Sequence, residues 1–428
     1  MGCGASTPAE QPTKKVEEAA KTSTDPPLQS QSRDAEAANV PGGSADITGT
    51  NNATRVRRLS YVTANQSNGQ ADLGSEGASA SGTPKAITDA NSQVRMRRLS
   101  HVIPGSGPPI PQHTGEGGGE SNPEVQRPQH YNPENVPVSA EGRPVDVEVV
   151  SISRAGQDPG LKKQNQDNCF AYDFYLEPDQ SLFSALDGHG PNGHMVSGYV
   201  KQHLPELLVH HLKQEVDNIP AALTEGFLDV DEKLAQSFVD CEFSGSTAVV
   251  SLLKGKMLYT AWVGDSRGVL GRKTKSGMEG IDLTIDHKPS DPEEKKRIQA
   301  RNGRVERLVD EGGEPIGPPR VWLQYAWIPG LAMSRALGDK IAHTVGVISE
   351  PGISVLELYP ADQFIILASD GVWEFIDSQQ AVDIISAHER LEDGVKDLID
   401  QAYARWIEEE DGVVDDITAT VVRFIHNP

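Results

Sequence analysis

Large aromatic side chains are almost missing from the first third of this chain. Residues 1–140 contain no Phe and no Trp, and only Tyr61 and Tyr131, yet they hold 14 of the 29 prolines. A segment this poor in large apolar groups cannot bury enough surface to offset its chain entropy, so a disordered tail is expected there. Cysteine is scarce as well. Cys3, Cys169 and Cys241 cannot build a disulfide framework and none stands at a zinc spacing from another, which points to a reducing, intracellular setting. No apolar run approaches the roughly 18–20 residues that a membrane-crossing helix needs. Cations are also short. The 39 Lys and Arg face 62 Asp and Glu, a net charge of −23, which argues against a nucleic-acid partner, whose phosphates require Lys and Arg contacts.

The acidity is unevenly spread. Residues 1–140 carry 12 Lys and Arg against 14 Asp and Glu, leaving 27 against 48 for the other 288 residues, a net of −21. The expected organisation is therefore a tail over 1–140 and one folded domain over 141–428. Within that domain strands and helices alternate. Val145–Ile152, Asn168–Tyr175 and Leu182–Leu186 read as strands, the last running into D-G-H-G. Val196, Val200, Leu204, Leu208 and Leu212 recur at helical spacing, with Pro205 expected to bend that helix. Leu223, Phe227, Val230, Leu234 and Phe238 mark a second helix. Thr247–Leu253, Met257–Val263 and Gly268–Arg272 read as a meander. Ser290-Asp291-Pro292-Glu293 reads as a capping box opening a charged helix. Strands at Ile353–Leu358, Phe364–Ala368 and Thr418–Phe424 and helices near 378–388 and 393–408 complete an α/β-type domain of sheets and flanking helices.

The tail carries two signals. Met1-Gly2-Cys3-Gly4-Ala5-Ser6 fits the N-myristoylation pattern at Gly2. One myristoyl chain binds membranes only marginally, so stable anchoring needs a second signal, which palmitoylation of Cys3 supplies; the bland reading is a chance match. Residues 47–62 and 87–102 repeat at a period of 40 around the core R-x-R-R-L-S-x-V. That core resembles the consensus of basophilic kinases such as cAMP-dependent protein kinase, with Ser60 and Ser100 as acceptors; the bland reading is duplication of an idle segment. Each phosphate adds about −1.5 to −2 charge and would weaken docking of a cationic repeat on anionic lipid or on the acidic domain.

The chemistry-bearing motifs run in order: N-Q-D at 165–167, D-G-H-G at 187–190, G-S-T-A at 245–248, V-G-D-S-R at 263–267, S-R-A-L-G-D at 334–339, S-D-G-V-W-E at 369–374 and D-D-I-T at 415–418. Asp187 and Asp370 each follow a short apolar strand and precede glycine, so each is expected at a strand end beside a backbone turn. Carboxylates without a His/Cys cluster favour hard cations such as Mg²⁺ or Mn²⁺, and two such ions can activate water against a phosphoryl group.

Over residues 145–425 this order of motifs resembles the metal-dependent type 2C protein serine/threonine phosphatases. The resemblance implies an α+β, four-layer α/β/β/α sandwich with two central, mainly antiparallel sheets. It implies hydrolysis of phosphoserine and phosphothreonine in protein substrates, with two Mg²⁺ or Mn²⁺ and a weaker third. Asp187 matches the ligand bridging both metals and the Gly188 carbonyl a ligand of the second. Asp370 and Asp415 match direct ligands of the first, Asp167 a ligand acting through water, and Asp265 a third-metal position, against which stands a purely structural hydrogen bond. His189 matches the proposed general acid. Lys162 stands where many members have a phosphate-holding Arg, and Lys lacks the bidentate fork. Gln166 and Glu374 also depart from the common Glu and Asp. Ser334, Arg335 and Asp339 read as packing or flap residues, and 312–329 as a flap beside the active site whose Trp and Tyr side chains pack in the core, with substrate contact as the alternative. The rival reading is a catalytically silent type 2C-like scaffold or kinase-docking module at the membrane; retention of Asp187, Asp370 and Asp415 speaks against it. The lipid signals place the enzyme at the cytoplasmic face of a membrane, with some in the cytosol.

Overall fold

Strands of this chain that read as unbroken apolar runs are covered on both faces. In Asp362–Ala368, Ile365 and Leu367 join one buried cluster while Phe364, Ile366 and Ala368 join another. The same division appears in Gln180–His189, where Phe183 and Ala185 point one way and Leu182 and Leu186 the other. A period of two with both faces apolar requires a layer on each side. The computed structural model describes residues 124–126, 129–131, 143–159, 163–215, 217–310 and 312–427, and in them two sheets stack with helices outside both.

The first sheet is antiparallel throughout, in the order Glu124–Gln126, Val145–Arg154, Ile417–His426, Asp362–Ala368, Arg267–Thr274 and Gly277–Asp282. Helices Ser378–Ser386 and Leu391–Glu409 cover its outer face through Val382, Ile385, Leu398 and Trp406. In the second sheet Gln180–His189 pairs with Ala171–Tyr175 and Ala248–Lys254, followed by Met257–Val263 and Gly352–Glu357. Helices Gly193–Gln214 and Ile219–Gln236 cover it through Leu204, Leu208, Leu223 and Phe227. Val149, Phe183, Val249, Leu270, Leu367 and Val422 fill the space between the sheets. The four-layer α/β/β/α arrangement is thus present.

Several local expectations need correction. Phe238 lies beyond the end of helix Ile219–Gln236 and is 88% exposed. Two short strands lie inside 1–140: Glu124–Gln126 pairs with Val145–Arg154, and Gln129–Tyr131 runs parallel to Ala171–Tyr175. Asn168–Tyr175 is two pieces, Asp167–Asn168 and Ala171–Tyr175. Asp291 alone caps helix Pro292–Ala300, accepting from the Glu293 and Glu294 N–H groups at 3.0 and 3.3 Å; Ser290 is not the cap. Pro205 lies inside one continuous helix, and its carbonyl accepts from the Tyr175 hydroxyl at 2.6 Å.

The segment 304–331 forms a separate antiparallel sheet of Arg304–Val309, Pro315–Trp322 and Pro329–Leu331. Trp322 is wholly buried and meets Trp327 edge-on at 5.0 Å, while Arg304 covers Trp327 at 4.4 Å. Packing therefore accounts for both Trp side chains, whereas Tyr325 is 89% exposed.

Candidate active site

The strand that carries D-G-H does not turn at Asp187. Gln180–His189 continues through Gly188 and His189 because this end has partners of its own: Asp187 stands opposite Asp167, Gly188 opposite Ser246 and His189 opposite Gly245. Thr247 fixes the Asp187 backbone on both sides, its hydroxyl accepting from the Asp187 N–H (3.0 Å) and its own N–H donating to the Asp187 carbonyl (2.8 Å). Only glycine fits at 188, where a Cβ would stand 2.4 Å from the carbonyl oxygens of Gln166 and Gly193. Asp370 opens the short helix Asp370–Trp373 just past Asp362–Ala368, so here a turn does follow the strand. Asp415 and Asp416 enter the neighbouring strand Ile417–His426. Asp265 occupies the turn between Met257–Val263 and Arg267–Thr274.

Hydrogen bonds tie these ends together. The Ser369 hydroxyl donates to Asp167 Oδ2 (2.8 Å) and accepts from the Thr418 N–H (3.0 Å). The N–H groups of Gly156 and Gln166 donate to the two oxygens of Asp416 at 2.7 and 2.9 Å. Lys163 binds Asp415 and lies 3.5 Å from Asp416, and Lys288 binds Asp265. The Gln166 side chain donates to the Gly190 carbonyl at 2.8 Å, so it serves the backbone of the D-G-H-G segment. Lys162, like Gly2, Cys3, Ser60 and Ser100, lies outside the described residues.

The electrostatics follow from crowding acids out of water. Burial, then the charges of Asp167, Asp370, Asp415 and Asp265, push the Asp187 carboxyl well above the usual range. Burial and then Asp265 and Asp415 do the same to Asp370. Asp167 rises to about 7 through burial and the charge of Asp416. At Asp265 burial also pushes upward, but the Lys288 ammonium outweighs it and the carboxyl stays below the ordinary value. Burial would lower Lys163, yet Asp415 and Asp416 hold it above the ordinary lysine value. Five mutually repelling carboxylates in low dielectric amount to a site short of positive charge.

Divalent cations meet that need chemically. The donors are all oxygens, the preference of Mg²⁺ and Mn²⁺, and Asp167 Oδ1 is buried with no hydrogen-bond partner among the described residues. Among the described residues no three Asp, Glu, His or Cys side chains already converge on one ligating point. The carboxylates therefore form a set of ligand arms and not a finished cage.

His189 is buried, with Nε2 at 2.6 Å from Asp339 Oδ2. This changes the reading of S-R-A-L-G-D. Ser334 and Arg335 are packing residues: Ser334 Oγ donates to Glu294 Oε2 at 2.6 Å and Arg335 grips the same carboxylate at 2.8 Å. Asp339, grouped with them on sequence, instead reaches the histidine of D-G-H-G. The two residues are 150 positions apart, and no local pattern announces the contact.

The family model for protein phosphatase 2C matches residues 153–410. The chain belongs to the protein phosphatase 2C family. A probable protein phosphatase 2C 64 of Oryza sativa subsp. japonica is 42% identical over 256 residues, covering 58% of this chain and 59% of that protein. A probable protein phosphatase 2C 72 of Arabidopsis thaliana is 35% identical over 323 residues, covering 72% of this chain and 96% of that protein. Among solved structures, a serine-threonine phosphatase 2C from Toxoplasma gondii superposes with a TM-score of 0.57 at 22% identity, over 71% of this chain and all of that one; at this identity the likeness speaks for the fold alone. The phosphatase 2C match stops before Asp415, whose place at the site rests on the pairing of Ile417–His426 with Val145–Arg154.

Proposed function

We propose that this type 2C phosphatase is a Mg²⁺- or Mn²⁺-dependent hydrolase of phosphoserine and phosphothreonine in proteins, held at the cytoplasmic face of a membrane by its acylated N-terminus. The observation that carries the chemistry is the set of interacting carboxylates, Asp167 and Asp265 buried and Asp187, Asp370 and Asp415 half-buried. A phosphate ester entering such a site bare would be repelled. Asp187, the Gly188 carbonyl, Asp370 and Asp415 would hold two ions, with Asp167 reaching them through water and Asp265 serving a third. The ions supply positive charge for the phosphoryl oxygens and lower the pKa of a water for attack. Lys162 is assigned to the phosphate as a point charge. His189 protonates the departing serine or threonine oxygen, without which the leaving group is a poorly stabilised alkoxide. No side chain attacks phosphorus, so no phospho-enzyme forms.

The tail supplies placement and control. A domain of net charge −21 is repelled by anionic lipid, so myristoyl at Gly2 and palmitoyl at Cys3 are assigned the tethering role. Ser60 and Ser100 are assigned as sites of a basophilic kinase whose phosphates reverse the charge of the R-x-R-R-L-S repeats. The test of the catalytic reading is release of phosphate from a phosphothreonine peptide with Mn²⁺ or Mg²⁺, before and after chelation. Turnover that survives chelation, or no turnover with metal, overturns it.

A further inference from the structure

Three two-residue strand segments lie side by side at one edge of the second sheet. Gly188 and His189 pair with Gly245–Ser246, and these pair with Leu337–Gly338. Asp339 follows immediately and its backbone is pinned. Its N–H donates to the Ser244 carbonyl (2.9 Å), the Gly338 N–H to Asp231 Oδ1 (2.7 Å) and the Lys340 N–H to the Cys241 carbonyl (3.0 Å). Upstream, Ser334 and Arg335 are moored to the buried Glu294. The φ of Asp339 is +46°, a left-handed conformation that a non-glycine residue keeps only when its surroundings impose it.

The backbone thus aims the Asp339 carboxylate across the middle segment at the His189 ring. Residue 245 leaves the path open: a Cβ there would stand 2.2 Å from Asp339 Oδ2 and 2.6 Å from His189 Nε2. The two side chains are 1% and 2% exposed, so water does not compete for the bond. Among the described residues His189 Nδ1, also buried, has no hydrogen-bond partner. The carboxylate therefore engages one nitrogen of the ring and leaves the other unengaged.

We propose that Asp339 is a positioning residue for His189: its carboxylate accepts from Nε2–H, fixes the rotation of the ring and leaves Nδ1 to deliver the proton to the leaving group. In the step, the oxygen of water bonds to phosphorus as the bond from phosphorus to the serine oxygen breaks. That serine oxygen takes the Nδ1 proton, and the proton shed by the attacking water restores the ring. The sum is phosphate ester plus water giving alcohol plus inorganic phosphate, and Nε2–H stays with Asp339 throughout. A carboxylate that holds the ring in one orientation acts through the ring and not on the substrate.

This role rests on the phosphatase reading above, and the nature of the leaving group separates the two. The test measures kcat and KM with Mn²⁺ for the full chain, Asp339→Ala, Asp339→Asn, His189→Ala and the double alanine variant. Two esters are used: a phosphoserine peptide, whose alkoxide must be protonated, and p-nitrophenyl phosphate, whose phenolate leaves unaided. Asp339→Ala is expected to lower kcat on the peptide by about 10²-fold, the usual worth of a positioned proton donor. It is expected to leave KM and the p-nitrophenyl rate within about 3-fold. Asp339→Asn keeps an oxygen acceptor and is expected to recover part of the peptide rate; it carries the same two-ester comparison if the alanine variant does not fold. The double variant is expected to be no slower than His189→Ala, because both changes remove one function. Equal losses on both esters, or losses that multiply in the double variant, overturn the positioning role. A full chain inert on both esters overturns the phosphatase reading instead.

Discussion

His287 shows how a single buried ring sets a response to pH. It is 8% exposed, stacked on Trp262 at 5.6 Å and 11°, and its carbonyl accepts from the Ser334 N–H at 2.9 Å. Burial first, then the nearby Arg335 guanidinium, pushes the imidazole down to about 3 from an ordinary 6.5. The native chain therefore leaves the ring neutral while the unfolded chain binds a proton below 6.5, so the residue makes no difference above that pH and costs stability as pH falls toward 3. His287→Gln is expected to lose roughly 3 kcal/mol less stability than the parent between pH 7 and pH 4.5. Urea unfolding at both pH values checks this, and identical losses in the two proteins would contradict it. At this scale the sequence showed much of the site: Asp187, Asp370, Asp415, Asp167 and Asp265 all stand in motifs, and the fold brings them into mutual electrostatic contact. Asp339 escaped because its meaning comes from a strand pairing and not from its neighbours.

Elements hold the site in place through a few buried ionic contacts. Glu294 on helix Pro292–Ala300 takes both Arg297 nitrogens at 2.6 and 2.8 Å, Arg335 at 2.8 Å and the Ser334 hydroxyl at 2.6 Å. Burial opposes its charge, but the guanidinium and hydroxyl donors outweigh burial and hold the carboxyl far below its ordinary 4.5. A depressed carboxyl stabilises the fold above its unfolded pKa and loses that contribution as pH falls below it. Glu294→Gln is expected to cost roughly 3 kcal/mol at pH 7, because it leaves two half-buried guanidinium groups without the buried counter-charge they share. The gap should narrow below about pH 4, where the unfolded parent takes up the proton. Denaturant unfolding of the pair measures it; a gap constant with pH would contradict the assignment. Helix positions were readable from apolar spacing, as at Gly193–Gln214 and Ile219–Gln236. Strand ends were not. The extension of Gln180–His189 through D-G-H depends on Gly245–Ser246, some 60 residues away, and periodicity over one segment carries no sign of it.

For the whole molecule, the charge of −23 divides the chain into an acidic enzyme and a nearly neutral tail. The stacking of two sheets followed from the order of the motifs and the resemblance they carried; residue patterns alone reached only sheets with flanking helices. Glu124–Gln126 and Gln129–Tyr131, with few apolar residues of their own, fall before position 141 and pair with sheet edges, which composition does not signal. Among the described residues no helix is long and apolar enough to cross a membrane, and the proposed attachment rests on acylation. Gly2→Ala is expected to move most of the chain from the membrane fraction to the supernatant on centrifugation of cell extracts, since one remaining signal gives only marginal binding; unchanged partitioning would contradict the tether. The central claim, however, is that the acidic cluster at the sheet ends is a metal-binding phosphatase site. Its most direct test is calorimetric titration of the full chain and of Asp187→Asn with Mn²⁺, with phosphothreonine-peptide turnover recorded at each metal concentration. The account predicts that binding and turnover rise together in the parent and that Asp187→Asn loses both; a variant that binds and turns over like the parent would contradict it.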